Sequence, residues 1–190
     1  MDNPRKTIIF YSSDLPFNQL IFKYDYYFEG KEIRSLKGHT DWISCLGVLP
    51  DGHIVSGSGD RTLKIWDPRT GQVLQTLKGH TGSISCLSIL PDGKIVSGSY
   101  DGTLKIWDPR TGHLLQTLEG HSGCISCLDV LPNGHIVSGS YDRTLKIWDS
   151  KTGQVLQSLE GHTNWIKSVA VLPNGHIVSG SYDRTLKIWK

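Results

Sequence analysis

The sequence predicts an all-β protein built from sheets of four antiparallel strands, repeated about four to five times along the chain. Three observations lead there. The chain repeats itself every 41 residues without insertion or deletion, each unit divides at turn-forming residues into four short segments of strand character, and those segments are apolar on both faces.

The repeat is carried by fixed marks. Gly38-His39 recurs as Gly79-His80, Gly120-His121 and Gly161-His162, and Trp66, Trp107, Trp148 and Trp189 keep the same interval. Between them, SGSGDRTLKIW (56–66) returns as SGSYDGTLKIW and then twice as SGSYDRTLKIW. A strict period in the 20–50 residue range is the signature of a stacked or radial array whose units cannot cover their own apolar surface.

Each element of the first unit follows from local chemistry. ISCLGVL (43–49) forms strand a and ends at Pro50-Asp51-Gly52, where Pro presets the first turn dihedral and Gly accepts the left-handed one. HIVSGS (53–58) is strand b, and the chain reverses at Gly59-Asp60-Arg61. TLKIWD (62–67) is strand c, closed by Pro68-Arg69-Thr70-Gly71, and QVLQTL (72–77) is strand d. Loops this short join only antiparallel neighbours, so a, b, c and d form a meander. The repeats run over 30–70, 71–111, 112–152 and 153–190, and the order d-a-b-c predicts an outer strand near 31–37 that opens the first of them.

Along strand a, alternation assigns Ile43, Cys45 and Leu49 to one face and Leu46 and Val48 to the other. A sheet apolar on both sides, with connections too short for helices, finds its cover in identical neighbours stacked about an axis. These are β-propeller blades of four antiparallel strands, and the ends leave an open or partial ring unless a partner chain completes it. A flat β-sandwich makes no demand for identical units in register.

These residues resemble the WD-repeat β-propeller family, whose Gly-His and closing Trp-Asp correspond to Gly38-His39 and Trp66-Asp67; Lys190 stands where the fourth Asp would be. The resemblance covers 30–190 and implies rings of seven or eight blades. It also implies a hydrogen-bond chain in each blade: Asp60, His39, Ser56 and Trp66; Asp101, His80, Ser97 and Trp107; Asp142, His121, Ser138 and Trp148; Asp183, His162, Ser179 and Trp189. The residue types suit the role. A carboxylate accepting from one imidazole nitrogen fixes the tautomer; the other nitrogen accepts the serine hydroxyl, whose oxygen accepts the indole N–H. The same types make a Ser-His-Asp hydrolytic triad, but four copies and no nucleophile elbow argue against catalysis. The chain is therefore expected not to be an enzyme.

Composition narrows the remaining classes. Lys plus Arg number 20 against 18 Asp plus Glu, a net charge of +2 that offers no broad field for nucleic acid or an anionic membrane face. The first 15 residues hold Asp2, Arg5, Lys6 and Asp14, and no apolar stretch reaches the length of a spanning helix. A cytoplasmic setting is expected, with reduced thiols. Cys45, Cys86 and Cys127 share one repeat position as small hydrophobes; Cys124 and Cys127 make a lone CxxC whose strand spacing points the thiols apart, so neither metal nor cofactor is expected.

What the repeats vary at their loop ends is the candidate recognition surface. Trp42 and Trp165 open strand a, Tyr100, Tyr141 and Tyr182 precede the turn Asp, and Arg61, Arg143 and Arg184 follow it. Aromatic and Arg side chains dominate binding hot spots; in the family resembled here these positions surround the channel mouth. The expected partner is a protein or peptide segment, acidic or phosphorylated. Residues 1–29 read either as a degenerate partial blade, in which TIIFYSSD resembles HIVSGSGD, or as an N-terminal arm. The sequence thus predicts a peptide-binding interaction scaffold that self-associates, most simply as a homodimer, to complete a ring; the alternative is a structural fragment of a larger propeller.

Overall fold

The computed structural model describes residues 31–190. The chain divides into two units, Met1–Ser35 and Leu36–Lys190. Of the first, only residues 31–35 are described, as extended chain in which Ser35 Oγ donates to Glu32 at 2.5 Å. Both readings of residues 1–29 lie outside the described residues.

The second unit is all β. Strands β1 (Ile43–Val48), β2 (Ile54–Ser58), β3 (Thr62–Trp66) and β4 (Val73–Lys78) pair antiparallel in sequence order. The pattern recurs in β5 (Ile84–Ile89), β6 (Ile95–Ser99), β7 (Leu104–Trp107) and β8 (Leu114–Leu118), and again in β9 (Ile125–Val130), β10 (Ile136–Ser140), β11 (Leu145–Trp148) and β12 (Val155–Leu159). The last sheet has three strands, β13 (Ile166–Val171), β14 (Ile177–Ser181) and β15 (Leu186–Trp189). The turns obey their residues: Gly52, Gly93, Gly134 and Gly175, each after Pro-Asp or Pro-Asn, all lie at φ between 82° and 88°.

Sheets meet face to face, each inner strand packing on that of the next sheet, and three successive cores fill the spaces between them. Core 1 joins Val55, Leu63 and Ile65 of the first blade to Ile84, Ile95 and Trp107 of the second. The described blades are four and do not close into a ring.

Two expectations are corrected. Residues 31–39 hold no strand, so the outer strand expected near 31–37 is absent, and among the described residues β15 keeps a free edge. A lone extended segment has no ladder to bond its amides and leaves them to water. The second correction concerns Ile43. A bulge between Ile43 and Cys45 shifts the register, so strict alternation fails there. Its equivalent Ile84 packs with Leu87 and Ile89 toward the preceding blade, whereas Cys86 faces the following one. Ile43 thus shares a face with Leu46 and Val48, not with Cys45.

Candidate functional site

The loop end of each blade is assembled by one aspartate. In the first, Asp60 Oδ1 accepts from the Thr62 amide (3.0 Å) and hydroxyl (2.7 Å), which shapes the turn between β2 and β3. Asp60 Oδ2 accepts from His39 Nδ1 (2.7 Å) and the Thr40 amide (3.1 Å), tying in the loop that enters β1. His39 Nε2 then lies 2.7 Å from Ser56 Oγ, which accepts the Trp66 indole N–H at 2.8 Å. Asp101, His80, Ser97 and Trp107 repeat this geometry, as do Asp142, His121, Ser138 and Trp148, and Asp183, His162, Ser179 and Trp189.

The electrostatics follow from that crowding. Burial alone would raise these four carboxyls, but the hydrogen bonds from threonine, histidine and backbone amides outweigh it and hold each well below the usual carboxylate range. The serines are buried, each hydroxyl engaged by imidazole on one side and indole on the other. Each serine oxygen is thus taken up by hydrogen bonds within its own blade.

The turn residue after each Asp is the strained one. Arg61, Arg143 and Arg184 sit at φ of 68°, 74° and 69°, the left-handed region, where Gly102 occupies the second blade at 82°. All three arginines are exposed, and among the described residues none enters an ion pair.

Of the aromatic candidates, four form a row across three blades. Tyr100 and Tyr141 lie 5.9 Å apart, Tyr141 stacks on Trp165 at 4.3 Å with planes 4° apart, and Trp165 meets Tyr182 at 6.0 Å. Trp42 stands apart from this row and lies against its own turn; a Cβ on Gly59 would come within 2.7 Å of the Trp42 indole nitrogen.

Lys167 joins the row from outside the loop-end positions expected to carry recognition. Its Nζ lies 5.0 Å from the Tyr141 ring centre and 5.6 Å from that of Tyr182, and donates to the Tyr141 hydroxyl at 3.1 Å. That bond raises the lysine pKa and helps lower that of Tyr141, against burial. The signal was available, because Lys167 interrupts a position held by Ser44, Ser85 and Ser126. The loop end thus presents a stacked aromatic row, one lysine on its rings and exposed arginines beside it; Asp41 is exposed at the same end of the first blade.

The thiols take no part. Cys124 Sγ donates to the Tyr100 carbonyl at 3.2 Å, while burial pushes the Cys127 thiol up to about 11. Among the described residues, no group of three or more His, Cys, Asp or Glu is placed to hold a metal ion, and no helix is long and apolar enough to cross a membrane.

Comparison with known proteins agrees with this architecture. The family model described as WD domain, G-beta repeat (WD40) matches residues 30–67, 71–108, 112–149 and 153–190. The chain is 50% identical over 40 residues to the nuclear distribution protein PAC1 of Candida tropicalis, covering 20% of this chain and 8% of that one. It is 51% identical over 39 residues to guanine nucleotide-binding protein subunit beta-1 of Caenorhabditis briggsae, covering 20% and 12%. These alignments span about a tenth of the relatives' length. Among solved structures, the WD40 β-propeller domain of Doa1 superposes with a TM-score of 0.76 at 34% identity, covering 82% of this chain and 53% of that one. The computationally designed Ika4 protein superposes with a TM-score of 0.75 at 40% identity, covering 84% and 98%.

Proposed function

The chain belongs to the WD40 family, and from that premise we propose that it is a non-enzymatic interaction scaffold that grips an acidic or phosphorylated peptide segment on its loop face after self-association completes the ring. The carrying observation is the row Tyr100–Tyr141–Trp165–Tyr182, exposed except for the half-buried Tyr141, with Lys167 on its rings and Arg143 and Arg184 without a carboxylate partner among the described residues. Flat rings give contact area at low entropic cost, and unpaired guanidinium groups take phosphate or carboxylate oxygens bidentately. The four turn aspartates do not compete for these cations, because each is occupied by its histidine and threonine. A cytoplasmic setting is part of this proposal.

The test is fluorescence anisotropy with labelled peptides: one rich in Glu and Asp, one phosphoserine-bearing, and one neutral. Binding of the charged peptides, weakened about tenfold or more by Trp165→Ala and falling with added salt, is the expected result. Equal binding of the neutral peptide, or full binding by Trp165→Ala, refutes it. A second reading, a structural segment of a larger propeller, is favoured by the apolar faces that the described residues leave exposed at both ends of the stack.

A further inference from the structure

We infer that the two bare ends of the stack are the two halves of one blade-to-blade interface, and that a second copy of this chain joins them head to tail, closing a ring of eight blades. This rests on the self-association proposed above and deepens it by naming the faces.

The chain supplies the template three times. Ile84 enters against Gly57, Ile125 against Gly98 and Ile166 against Gly139, so closely that a Cβ on any of these glycines would lie 2.6 Å from the isoleucine Cγ2. All three isoleucines are fully buried. Leu63, Leu104 and Leu145 complete the receiving faces, also fully buried.

At the ends the same residues lack their counterparts among the described residues. Ile43, the first blade's equivalent of Ile84, is 51% exposed, and Leu46 and Val48 on the same face are each 67% exposed. On the fourth blade no isoleucine among the described residues stands against Gly180. A cleft of about 310 Å³ opens there instead, lined by Lys167, Gly180, Tyr182 and Leu186 among others. Leu186 is 75% exposed and Ile188 68%, although Leu63 and Ile65 in the same places are at most 2% exposed. A knob without a socket and a socket without a knob, cut from one repeated pattern, fit each other.

The loop end gives an independent match. Trp165, just before β13, stacks on Tyr141 of the preceding blade. Trp42 holds the same place before β1, Tyr182 the same place as Tyr141, and both are about half exposed. Head-to-tail docking lays Trp42 of one copy on Tyr182 of the other and continues the aromatic row across the seam.

The seam differs from the internal interfaces at Ser168, which takes the place of Cys45, Cys86 and Cys127 on the receiving face, and at the residue before it. Ser44, Ser85 and Ser126 donate to the carbonyls of Ile84, Ile125 and Ile166 in the next blade. Lys167 replaces that serine, so the seam forgoes a short hydroxyl bond and is the most readily opened of the interfaces. Lys167 also disfavours pairing of two fourth blades, which would oppose like charges and leave Ile43 bare. A head-to-tail contact closes or polymerises; four blades per copy reach the family's ring size at two copies.

Sedimentation of the full chain tests this. The wild type is expected at about 42 kDa, twice its 21.1 kDa. Ile43→Asp and Leu186→Lys, each at an exposed position, are expected to give folded monomers with unchanged circular dichroism. Mixing the two variants restores the dimer, because one seam is then native and the other charge-paired, lowering the dissociation constant roughly a hundredfold relative to either alone. Dilution of the wild type is expected to shift a Trp fluorescence signal that Trp42→Phe abolishes. A wild-type monomer at every concentration overturns both this inference and the self-association beneath it. A dimer indifferent to Ile43→Asp leaves self-association standing and overturns the head-to-tail seam, and filaments overturn ring closure.

Discussion

Replacing Gly139 by alanine should destabilise the protein even though alanine is ordinarily the better residue in a strand. The backbone at Gly139 is not left-handed, so only space decides. An added Cβ would sit 2.6 Å from Ile166 Cγ2, 2.7 Å from Cys127 Sγ and 3.3 Å from Leu145 Cδ2. Ordinary carbon contacts lie at about 3.5–4.0 Å, so two neighbours must each yield by about 1 Å. Neither has room, since Ile166 is fully buried and Cys127 lies in the same core between two blades. Overpacking of this kind costs about 1–3 kcal/mol, against about 0.5–1 kcal/mol returned by the lower backbone entropy of alanine in the unfolded chain. The central values leave a net loss of about 1 kcal/mol, or roughly 2–4 °C in Tm for a domain of this size. Urea and thermal unfolding followed by circular dichroism read it directly. Gly57→Ala and Gly98→Ala should match it, because Ile84 and Ile125 sit as close. Gly180→Ala in an Ile43→Asp background should cost less, since among the described residues its Cβ would meet Ser168 Oγ at 2.7 Å, exposed and able to rotate away, and Leu186 Cδ2 at 3.2 Å. Wild-type stability in Gly139→Ala would show that the blades do not interlock as described.

The remaining expectations concern the loop end. His121→Ala removes one of the four donors to Asp142 and strands the buried Ser138 hydroxyl, and should lower unfolding free energy by about 1–3 kcal/mol in urea titrations. Because Asp60, Asp101, Asp142 and Asp183 titrate lower in the fold than the unfolded value of about 3.9, the unfolded state binds more protons between the two values. Their contribution is full above that unfolded value and is lost as pH falls below it, so the urea midpoint should drop from pH 6 to pH 3. Arg143→Gly removes a left-handed non-glycine at φ 74° and should be neutral or stabilising by up to about 1 kcal/mol in thermal unfolding; clear destabilisation would mean that the guanidinium makes a contact the fold depends on.

The repeat, the four strands of each unit and the radial stacking were legible in the residues, because a strict period, Pro-Gly turns and two apolar faces constrain the backbone locally and leave one way to cover the sheets. The same residues marked Asp142, His121, Ser138 and Trp148 as a set, since recurrence at fixed spacing shows which polar groups travel together. Three features were decided only in the folded chain. The bulge between Ile43 and Cys45 turns Ile43 onto the opposite face, and a register shift leaves no trace in alternation read residue by residue. The strand expected near 31–37 does not form, because a strand exists only with a ladder partner, which lies elsewhere in the chain or in another molecule. The stacking of Trp165 on Tyr141 and the seat of Lys167 above two rings join residues 24 and 26 positions apart across neighbouring blades. Local chemistry fixes what one blade is; what two blades share depends on distances that arise only when they pack.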